Sequence, residues 1–225
     1  MSLIVQKYGG SSVSDAEKIR HVARRITQSS EAGDHIVAVV SAMGNTTDEL
    51  LELACNVCDN PSARELDVLL STGETVSATL LAIALKSLGT SAISLSGAQA
   101  GIRTDDSYSR ARIMNIEPKR VISELDRGKI VIVAGFQGVT EEMDTTTLGR
   151  GGSDTTAVAL AISLKADKCE IYTDVEGVYT ADPRMISQAR KLEEIAYEEM
   201  LEMSTYGIKP ASAAGRSIGT YSAGP

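Results

Sequence analysis

The feature that most constrains the fold is an alternation of apolar, β-branched segments with segments of helical periodicity. Five segments predict strands: LIVQKY, HIVAVVSAM, TSAISLSG, KIVIVAGFQG and CEIYTD. Helical patterns stand between them, in a segment from about Ser14 to Gly33 and in DELLELACNV, ETVSATLLAIALKSLG, EPKRVISELDRG and SDTTAVALAISLKA. Strands that alternate with helices form βαβ units. The sequence therefore predicts an α/β fold with an open, mostly parallel sheet sandwiched between helices.

Start signals refine the boundaries of the predicted helices. Ser14 with Glu17, and Thr46 with Glu49, have the spacing of capping boxes. Pro118 falls in the first turn of EPKRVISELDRG. We therefore expect two helices to be capped by Ser14 and Thr46.

Composition narrows the class of protein. The 225 residues suffice for one large α/β domain or two small ones. Tryptophan is absent and Phe136 is the single phenylalanine, so the core must be aliphatic. A formal net charge of −8 argues against nucleic acid or an anionic membrane as partner. No apolar run approaches a membrane span, and MSLIVQKY lacks the apolar core of a signal peptide, so we expect a cytoplasmic protein.

Cys55 and Cys58 form a C-x-x-C motif, the spacing of a redox dithiol or of half a zinc site. The pair falls near the end of an amphipathic helix. No second motif of this kind and no nearby histidine complete four zinc ligands. We expect the cysteines to serve neither purpose.

The segments that follow the predicted strands indicate where a ligand binds. KYGGSS, SAMGNTT, AGFQG and TDVEGVYTADPR are small, polar or glycine-rich. Ligands of open parallel sheets collect at the carboxyl ends of the strands. We therefore expect the site at this edge of the sheet.

The stretch VQKYGGSSV contains one candidate for anion binding. Lys7 and the glycines Gly9 and Gly10 come at the end of a predicted strand. Adjacent glycines let backbone N–H groups face an anion, and a lysine adds positive charge. The alternative is a solvated lysine beside a turn, since glycine also favours turns.

The segment TTLGRGGSDTTAVAL is a stronger candidate. Arg150 stands among three glycines, and Ser153 and Asp154 then begin a helix. Ser153 as N-cap and Asp154 as a first-turn acid need no ligand. An arginine held at a positive helix terminus is, however, suited to bidentate capture of a carboxylate or phosphate.

Glu74, in LLSTGETVS, has two interpretations. Its spacing from Ser71 fits a capping box, which needs no substrate. Ser41, Thr46 and Thr47 are equally compatible with turns and caps. The residues taken singly leave both interpretations open.

Five motifs together resemble the aspartate kinases, a group within the amino acid kinase superfamily. They follow that family's order and spacing from residue 3 to about Gly207. They are K-Y-G-G-S-S at 7–12, S-A-M-G-N-T-T-D at 41–48, S-T-G-E at 71–74, T-L-G-R-G-G-S-D at 147–154 and Y-T-D-V-E-G-V-Y-T-A-D-P-R at 172–184.

The resemblance implies a role for each matching residue. The catalytic pair would be Lys7, which stabilises the transferring phosphoryl group, and Asp154, which organises the centre. Aspartate would contact Ser41, Thr47, Glu74, Phe136, Arg150, Gly151, Gly152 and Ser153. ATP would contact Lys7, Tyr8, Gly9, Gly10, Ser11, Thr173, Asp174, Tyr179, Asp182, Arg184 and Lys209. Mg²⁺ would be held mainly by the ATP phosphates, with no separate protein metal site.

The resemblance also implies a reaction. ATP would phosphorylate the β-carboxylate of L-aspartate to 4-phospho-L-aspartate, the first step toward lysine, threonine and methionine. The intact protein would be a homo-oligomer or dimer. The alternatives are kinases of the same superfamily for N-acetylglutamate, glutamate, carbamate or UMP, and a catalytically silent nucleotide-binding chain.

The sequence departs from the family near its end. We expect a catalytic amino acid kinase domain over residues 1–207 and a divergent, glycine-rich tail over 208–225. The tail reads as a flexible end. No chain remains for ACT-type regulatory domains, so we expect an incomplete C-terminal part and no inhibition by lysine or threonine.

Overall fold

The computed structural model of the chain describes residues 1–173, 179–180 and 186–194, and the backbone of 217–221. The helices are α1 (Ala16–Glu31), α2 (Thr46–Val57), α3 (Ala63–Ser87), α4 (Lys119–Asp126) and α5 (Gly152–Leu164), with a 3-10 helix over Gly10–Val13. The strands are β1 (Leu3–Tyr8), β2 (His35–Val40), β3 (Ala92–Leu95), β4 (Ile102–Thr104), β5 (Ile113–Ile116), β6 (Ile130–Ala134), β7 (Gln137–Val139), β8 (Thr145–Thr147), β9 (Lys168–Thr173) and β10 (Ser217–Tyr221). One compact unit comprises Met1–Ile171 and Thr220–Pro225, and a second comprises Tyr172–Gly219.

The main sheet has six strands in the order β10-β9-β1-β2-β6-β3. The pairs β1–β2, β2–β6 and β3–β6 are parallel. Their register places Val5, Val37, Val131 and Ile93 in one row across the sheet. All five strands predicted from the sequence lie in this sheet, which confirms the α/β, mostly parallel fold.

Helices cover both faces of the main sheet. Val5, Val37 and Val131 belong to an aliphatic cluster completed by Leu125 of α4 and Leu160 of α5. Successive strand residues point to opposite faces. The alternate residues of β2 therefore face the other layer, where α1 and α3 pack on each other and α3 contacts β2, β3 and β6. The sheet is covered on both sides, as its continuous apolar strands predict.

A second, four-stranded sheet has the order β5-β4-β7-β8. The pairs β4–β5 and β7–β8 are antiparallel, whereas β4 and β7 are parallel. Strands β4, β5 and β8 were not predicted, because strands of three or four residues carry almost no periodicity. The segment KIVIVAGFQG is also two strands and not the single strand predicted, since the chain leaves the main sheet after Ala134 and enters the second sheet at Gln137.

Two predicted helix caps are wrong. The N-cap of α1 is Asp15, whose Oδ1 accepts a hydrogen bond from Lys18 N at 2.9 Å, and not Ser14. The N-cap of α2 is Asn45, which makes no side-chain cap bond, so Thr46 is the first helical residue. In both cases the sequence signal was displaced by one residue, a typical error of boundary assignment.

Two further cap interpretations fail near the candidate site. Ser71 and Glu74 lie in the middle of α3, which runs unbroken from Ala63, so they form no capping box. Ser153 is the second residue of α5, and its N-cap position is taken by Gly151. Capping therefore leaves Glu74 unexplained.

Helix α3 has the length and apolar composition of a membrane span within the described part of the chain, contrary to the expectation from the sequence. Half of its most apolar window is buried inside the protein. It also carries the buried carboxylates of Asp67 and Glu74. These features are those of a core helix.

Within the glycine-rich tail the structure describes residues 217–221, which form strand β10 at the edge of the main sheet beside β9. The composition of the tail gave no signal for this strand. Lys209 and residues 208–216 lie outside the described residues.

Candidate active site

A cleft of about 450 Å³ lies where β1, β2 and β6 end and where α5 begins. The cleft lies at the carboxyl ends of the parallel strands, the edge of the sheet at which the sequence predicts a ligand site. The lining residues are Lys7, Gly10, Ser41, Ala42, Gly44, Thr47, Glu74, Phe136, Gly149, Arg150, Gly151, Gly152, Ser153 and Asp154.

The cleft unites residues from four of the five sequence motifs. Lys7 and Gly10 follow β1, Ser41 and Thr47 follow β2, and Glu74 comes from α3. Every residue predicted to contact aspartate lies on the wall of this cleft. Ala42, Gly44 and Gly149 line it as well and were not predicted, although they belong to the motif segments SAMGNTT and TTLGRGG.

Lys7 and Asp154 form an ion pair across the cleft. Lys7 Nζ lies 2.7 Å from Asp154 Oδ1, and the two side chains are 10% and 50% exposed. The contact is an ion pair rather than a well-directed hydrogen bond, since Asp154 Oδ1 has no partner of hydrogen-bonding geometry. Lys7 projects from β1 and Asp154 from the first turn of α5, so the pair joins a strand end to a helix N-terminus.

Gly10 is explained by a close approach of the backbone. A Cβ atom at Gly10 would lie 2.7 Å from Ala42 O, which is too close for any side chain. Gly44 N also donates a hydrogen bond to Gly10 O at 3.1 Å. The loops that follow β1 and β2 can therefore pack together only with glycine at position 10.

The other residues of this loop differ in their access to the cleft. Gly9 is the N-cap of the 3-10 helix and Ser11 is exposed, but neither belongs to the cleft wall. Tyr8 is 1% exposed, and its hydroxyl donates to Gln6 Oε1 at 3.0 Å. The ring of Tyr8 is therefore part of the core, and a contact of this residue with a nucleotide remains a prediction.

Glu74 is a buried carboxylate with one unused oxygen. The residue is 3% exposed, and Oε1 accepts a hydrogen bond from Ala42 N at 3.0 Å. Oε2 has no hydrogen-bond partner among the described residues. Burial raises the pKa of this carboxyl to about 7, since an uncompensated charge is costly in a poorly solvated place. Such a group is suited to receive a cation or a hydrogen-bond donor from a ligand.

Arg150 lies on a loop whose backbone conformation requires glycine on both sides of it. We call residues 148–151 the arginine loop. Gly149 and Gly151 have φ of +76° and +77°, a region that L-residues with side chains rarely adopt. Arg150 between them is exposed. Its guanidinium is therefore available for bidentate contact with a carboxylate or phosphate.

Phe136 lies on the cleft wall with a strained backbone. Its φ is +67°, which is uncommon for a bulky residue. Its N–H donates to Thr156 Oγ1 at 3.1 Å, and its carbonyl accepts from Leu148 N at 2.8 Å. A Cβ atom at Gly152 would lie 2.8 Å from Phe136 Cδ2. Phe136 thus ties β6 to both α5 and the arginine loop, and such strain often marks a functional position.

Two of the residues predicted to contact the nucleotide, Thr173 and Tyr179, are described by the structure and do not belong to this cleft wall. Thr173 ends β9 and Tyr179 forms an isolated antiparallel bridge with Lys191, both in the second unit. The other predicted contacts lie outside the described residues: Asp174, Asp182, Arg184 and Lys209. The nucleotide contacts of this group remain predictions.

The C-x-x-C motif lies away from the cleft wall. Cys55 is in the last turn of α2 and Cys58 is its C-cap, and both are exposed free thiols. Within residues 1–173, 179–180 and 186–194, no three His, Cys, Asp or Glu side chains are grouped closely enough to hold a metal ion.

Comparisons with known proteins agree with this architecture. The sequence pattern of the amino acid kinase family matches residues 2–217. The aspartokinase of Geobacillus stearothermophilus is 59% identical over 207 residues, which are 92% of this chain and 51% of that protein. The aspartokinase of Corynebacterium glutamicum is 59% identical over 210 residues, 93% of this chain and 50% of that protein. The chain thus spans about half the length of these relatives.

Solved structures show the same similarity. The aspartate kinase from Synechocystis has a TM-score of 0.80 and 48% identity, over 93% of this chain and 34% of that one. The E. coli aspartokinase III in complex with aspartate and ADP has a TM-score of 0.79 and 29% identity, over 93% of this chain and 57% of that one. The family match extends over both the sheet and the cleft, and this chain therefore belongs to the amino acid kinase family.

Proposed function

We propose that this chain carries the catalytic part of an aspartokinase, which transfers the γ-phosphoryl group of ATP to the β-carboxylate of L-aspartate. The similarity to aspartokinases at 59% identity supports this assignment. The proposal includes the first step toward lysine, threonine and methionine, a cytoplasmic location and a homo-oligomeric state.

The unpartnered oxygen of Glu74 is the observation that favours a free α-amino acid as the substrate, and the similarity to aspartokinases favours aspartate over glutamate. Free aspartate has an α-ammonium and an α-carboxylate, so its site needs an acid and a cation. Glu74 supplies a buried acid with a free Oε2, and Arg150 supplies an exposed guanidinium in the same cleft. An N-acetylated substrate has no ammonium to satisfy Glu74, and carbamate and UMP have no α-amino acid group.

The lining of the cleft supports our proposal that the phosphates of ATP bind there. Lys7 provides a cation, Gly10 presents backbone without a side chain, and the N-terminus of α5 contributes the positive end of a helix dipole. Mg²⁺ would enter with ATP and neutralise phosphate charge, and Asp154 is the acidic side chain of the cleft wall that lies against Lys7.

The chemical step needs charge stabilisation rather than a general base. An aspartate carboxylate has a pKa near ~3.9 and is already ionised at neutral pH. One of its oxygens forms a bond to the γ-phosphorus while the bond from phosphorus to the bridging oxygen of ADP breaks. Lys7 would stabilise the charge on the transferring group, and Glu74 and Arg150 would hold aspartate in line.

A coupled assay for ADP release tests the proposal. We expect turnover with L-aspartate and far less with N-acetylglutamate, glutamate, carbamate or UMP. Succinate, which is aspartate without its ammonium, is the matched control for Glu74 and is expected to react poorly. Faster turnover with another acceptor would overturn the assignment. Calorimetric binding of ADP without turnover of any acceptor would instead identify a silent nucleotide-binding chain.

A further inference from the structure

Asp67 is a buried carboxylate that the proposed chemistry does not use. It lies on α3 and is 0% exposed. Both oxygens accept a hydrogen bond from Ser109 N, at 3.0 and 2.9 Å. Thr147 adds two more donors, its N–H at 2.8 Å to Oδ2 and its hydroxyl at 2.8 Å to Oδ1. The charge is thus satisfied by uncharged donors that come from two distant parts of the chain.

Both partners of Asp67 border the arginine loop. Thr147 is the last residue of β8 and directly precedes the loop. Ser109 packs beside it, since a Cβ atom at Gly149 would lie 3.3 Å from Ser109 O. Ala111 N also donates to Thr147 O at 2.8 Å, so the two segments are bonded to each other. Asp67 therefore holds the strand that leads into the loop and the chain that packs against Gly149.

The same helix carries Glu74. Glu74 is seven positions after Asp67, so the two side chains project from nearly the same face of α3, about 10 Å apart along its axis. Glu74 contributes its carboxylate directly to the cleft, whereas Asp67 contributes indirectly through the loop that carries Arg150. One rigid helix thus sets the places of the acid and of the cation.

We propose that Asp67 is a positioning residue that fixes the arginine loop relative to Glu74, and so sets the spacing at which the cleft accepts both charged groups of an α-amino acid. The substrate half of this statement rests on the proposed function. The structural half, that Asp67 orders the arginine loop, does not.

Hydrogen–deuterium exchange of the full 225-residue chain tests the structural half. In Asp67→Asn the side chain keeps its size, but one of its two acceptor oxygens becomes an NH2 donor and the negative charge is lost, so a single oxygen remains for the N–H groups of Ser109 and Thr147. We expect amides 147–152 to exchange at least about tenfold faster in the variant, with β1 and β2 unchanged. Unchanged protection of the arginine loop in a folded variant would overturn the proposal, whatever the activity.

Two further variants keep the test sharp. Thr147→Val removes only the hydroxyl donor and is expected to loosen the same amides to a smaller extent, which provides a test if Asp67→Asn does not fold. Arg64→Ala is the matched control. It removes another tie from α3, the bond from Arg64 Nε to Asp144 Oδ1 at 3.0 Å, while Asp144 keeps its bond from the Tyr108 hydroxyl, and it is expected to leave the arginine loop unchanged. Equal loosening by Arg64→Ala would show that the loss of any tie to α3 loosens the loop and would contradict a specific role for Asp67.

Kinetics test the substrate half. Asp67→Asn is expected to raise KM for aspartate about tenfold and to leave KM for ATP unchanged. If Asp67 acts through Arg150, Asp67→Asn should raise KM for aspartate by less than about twofold when Arg150→Ala is already present. When Glu74→Gln is already present, Asp67→Asn should raise KM for aspartate by its full factor. Full additivity with Arg150→Ala would overturn the positioning role. Absence of aspartate turnover in the unaltered chain would overturn the proposed function alone, because the exchange result stands without it.

Discussion

Two glutamates of this protein are equally buried, but only one of them is surrounded by cations. Glu74 on α3 and Glu124 on α4 are each 3% exposed. Glu124 accepts a hydrogen bond from Lys129 Nζ at 2.7 Å and lies 3.5 Å from Arg120 and 3.4 Å from Arg127. Glu74 has one backbone N–H donor and a free oxygen.

The pKa values of the two carboxyls follow from these partners. The hydrogen bond from Lys129 lowers the pKa of Glu124, while burial raises the pKa of Glu74 to about 7. The cations around Glu124 are 31% to 63% exposed, so its carboxylate is covered mainly by its own partners near the surface. Burial alone therefore does not distinguish a structural carboxylate from one that is available to a ligand. The two are distinguished by the oxygen of Glu74 that has no hydrogen-bond partner among the described residues.

Lys7 is a buried cation, and its substitution is expected to have the largest effect on activity. If Lys7 stabilises charge on the transferring phosphoryl group, Lys7→Ala should lower kcat about a thousandfold while the fold persists. Lys18→Ala is the control, because Lys18 pairs with Asp15 on the exposed face of α1. Near-normal turnover of Lys7→Ala in the ADP-release assay would contradict a role in phosphoryl transfer.

Glu74→Gln should raise KM for aspartate by about 10- to 100-fold, since a hydrogen bond to a charged group contributes about 1.5–3 kcal/mol. The glutamine keeps the acceptor for Ala42 N, so KM for ATP should not change. Glu124→Gln, equally buried, should leave both constants as they are. Steady-state kinetics test this difference between the two glutamates. An equal change in KM for aspartate in both variants would contradict it.

The raised pKa of Glu74 predicts a pH dependence of substrate affinity. Only the ionised carboxylate attracts an ammonium, and a group with a pKa near 7 is about one-tenth ionised at pH 6 and about nine-tenths at pH 8. KM for aspartate should therefore fall about tenfold between these values. Glu74→Gln should abolish the trend, and a slope that persists in this variant would assign it to another group.

The two glutamates should also affect unfolding with opposite signs. The folded-state pKa of Glu74 is raised from 4.5 to about 7, so the folded chain binds more protons in this window and its stability falls as pH rises, by about 3 kcal/mol in total. Glu74→Gln should then be more stable than the unaltered chain above pH 7.

Glu124 has a lowered pKa, so its contribution is present above the unfolded value of 4.5 and is lost as pH falls through the folded value. Glu124→Gln should melt a few degrees lower at pH 7 and similarly to the unaltered chain in acid. Melting curves of both variants at pH 2, 7 and 8 measure the difference. A higher melting temperature for Glu124→Gln than for the unaltered chain at pH 7 would contradict a stabilising role of Glu124.

Local patterns in the sequence determined five of the six strands of the main sheet and the position of the cleft. The five apolar segments could be read because buried parallel strands are continuous and long enough to stand out. The segments after β1, β2 and β6 then indicated a site, since parallel strands end at a common edge. The five motifs in register also identified the family, which the match over residues 2–217 confirms.

The tertiary structure decided what no local pattern contains. The spacing of Ser71 and Glu74 fitted a cap as well as a ligand, and only the unbroken course of α3 excluded the cap. Nothing near Asp67 in the chain predicts its bonds to Ser109 and Thr147, because these residues are 42 and 80 positions away. Periodicity and capping act within a few residues, whereas the burial of a charge and the supply of its partners depend on which distant segments the fold brings together.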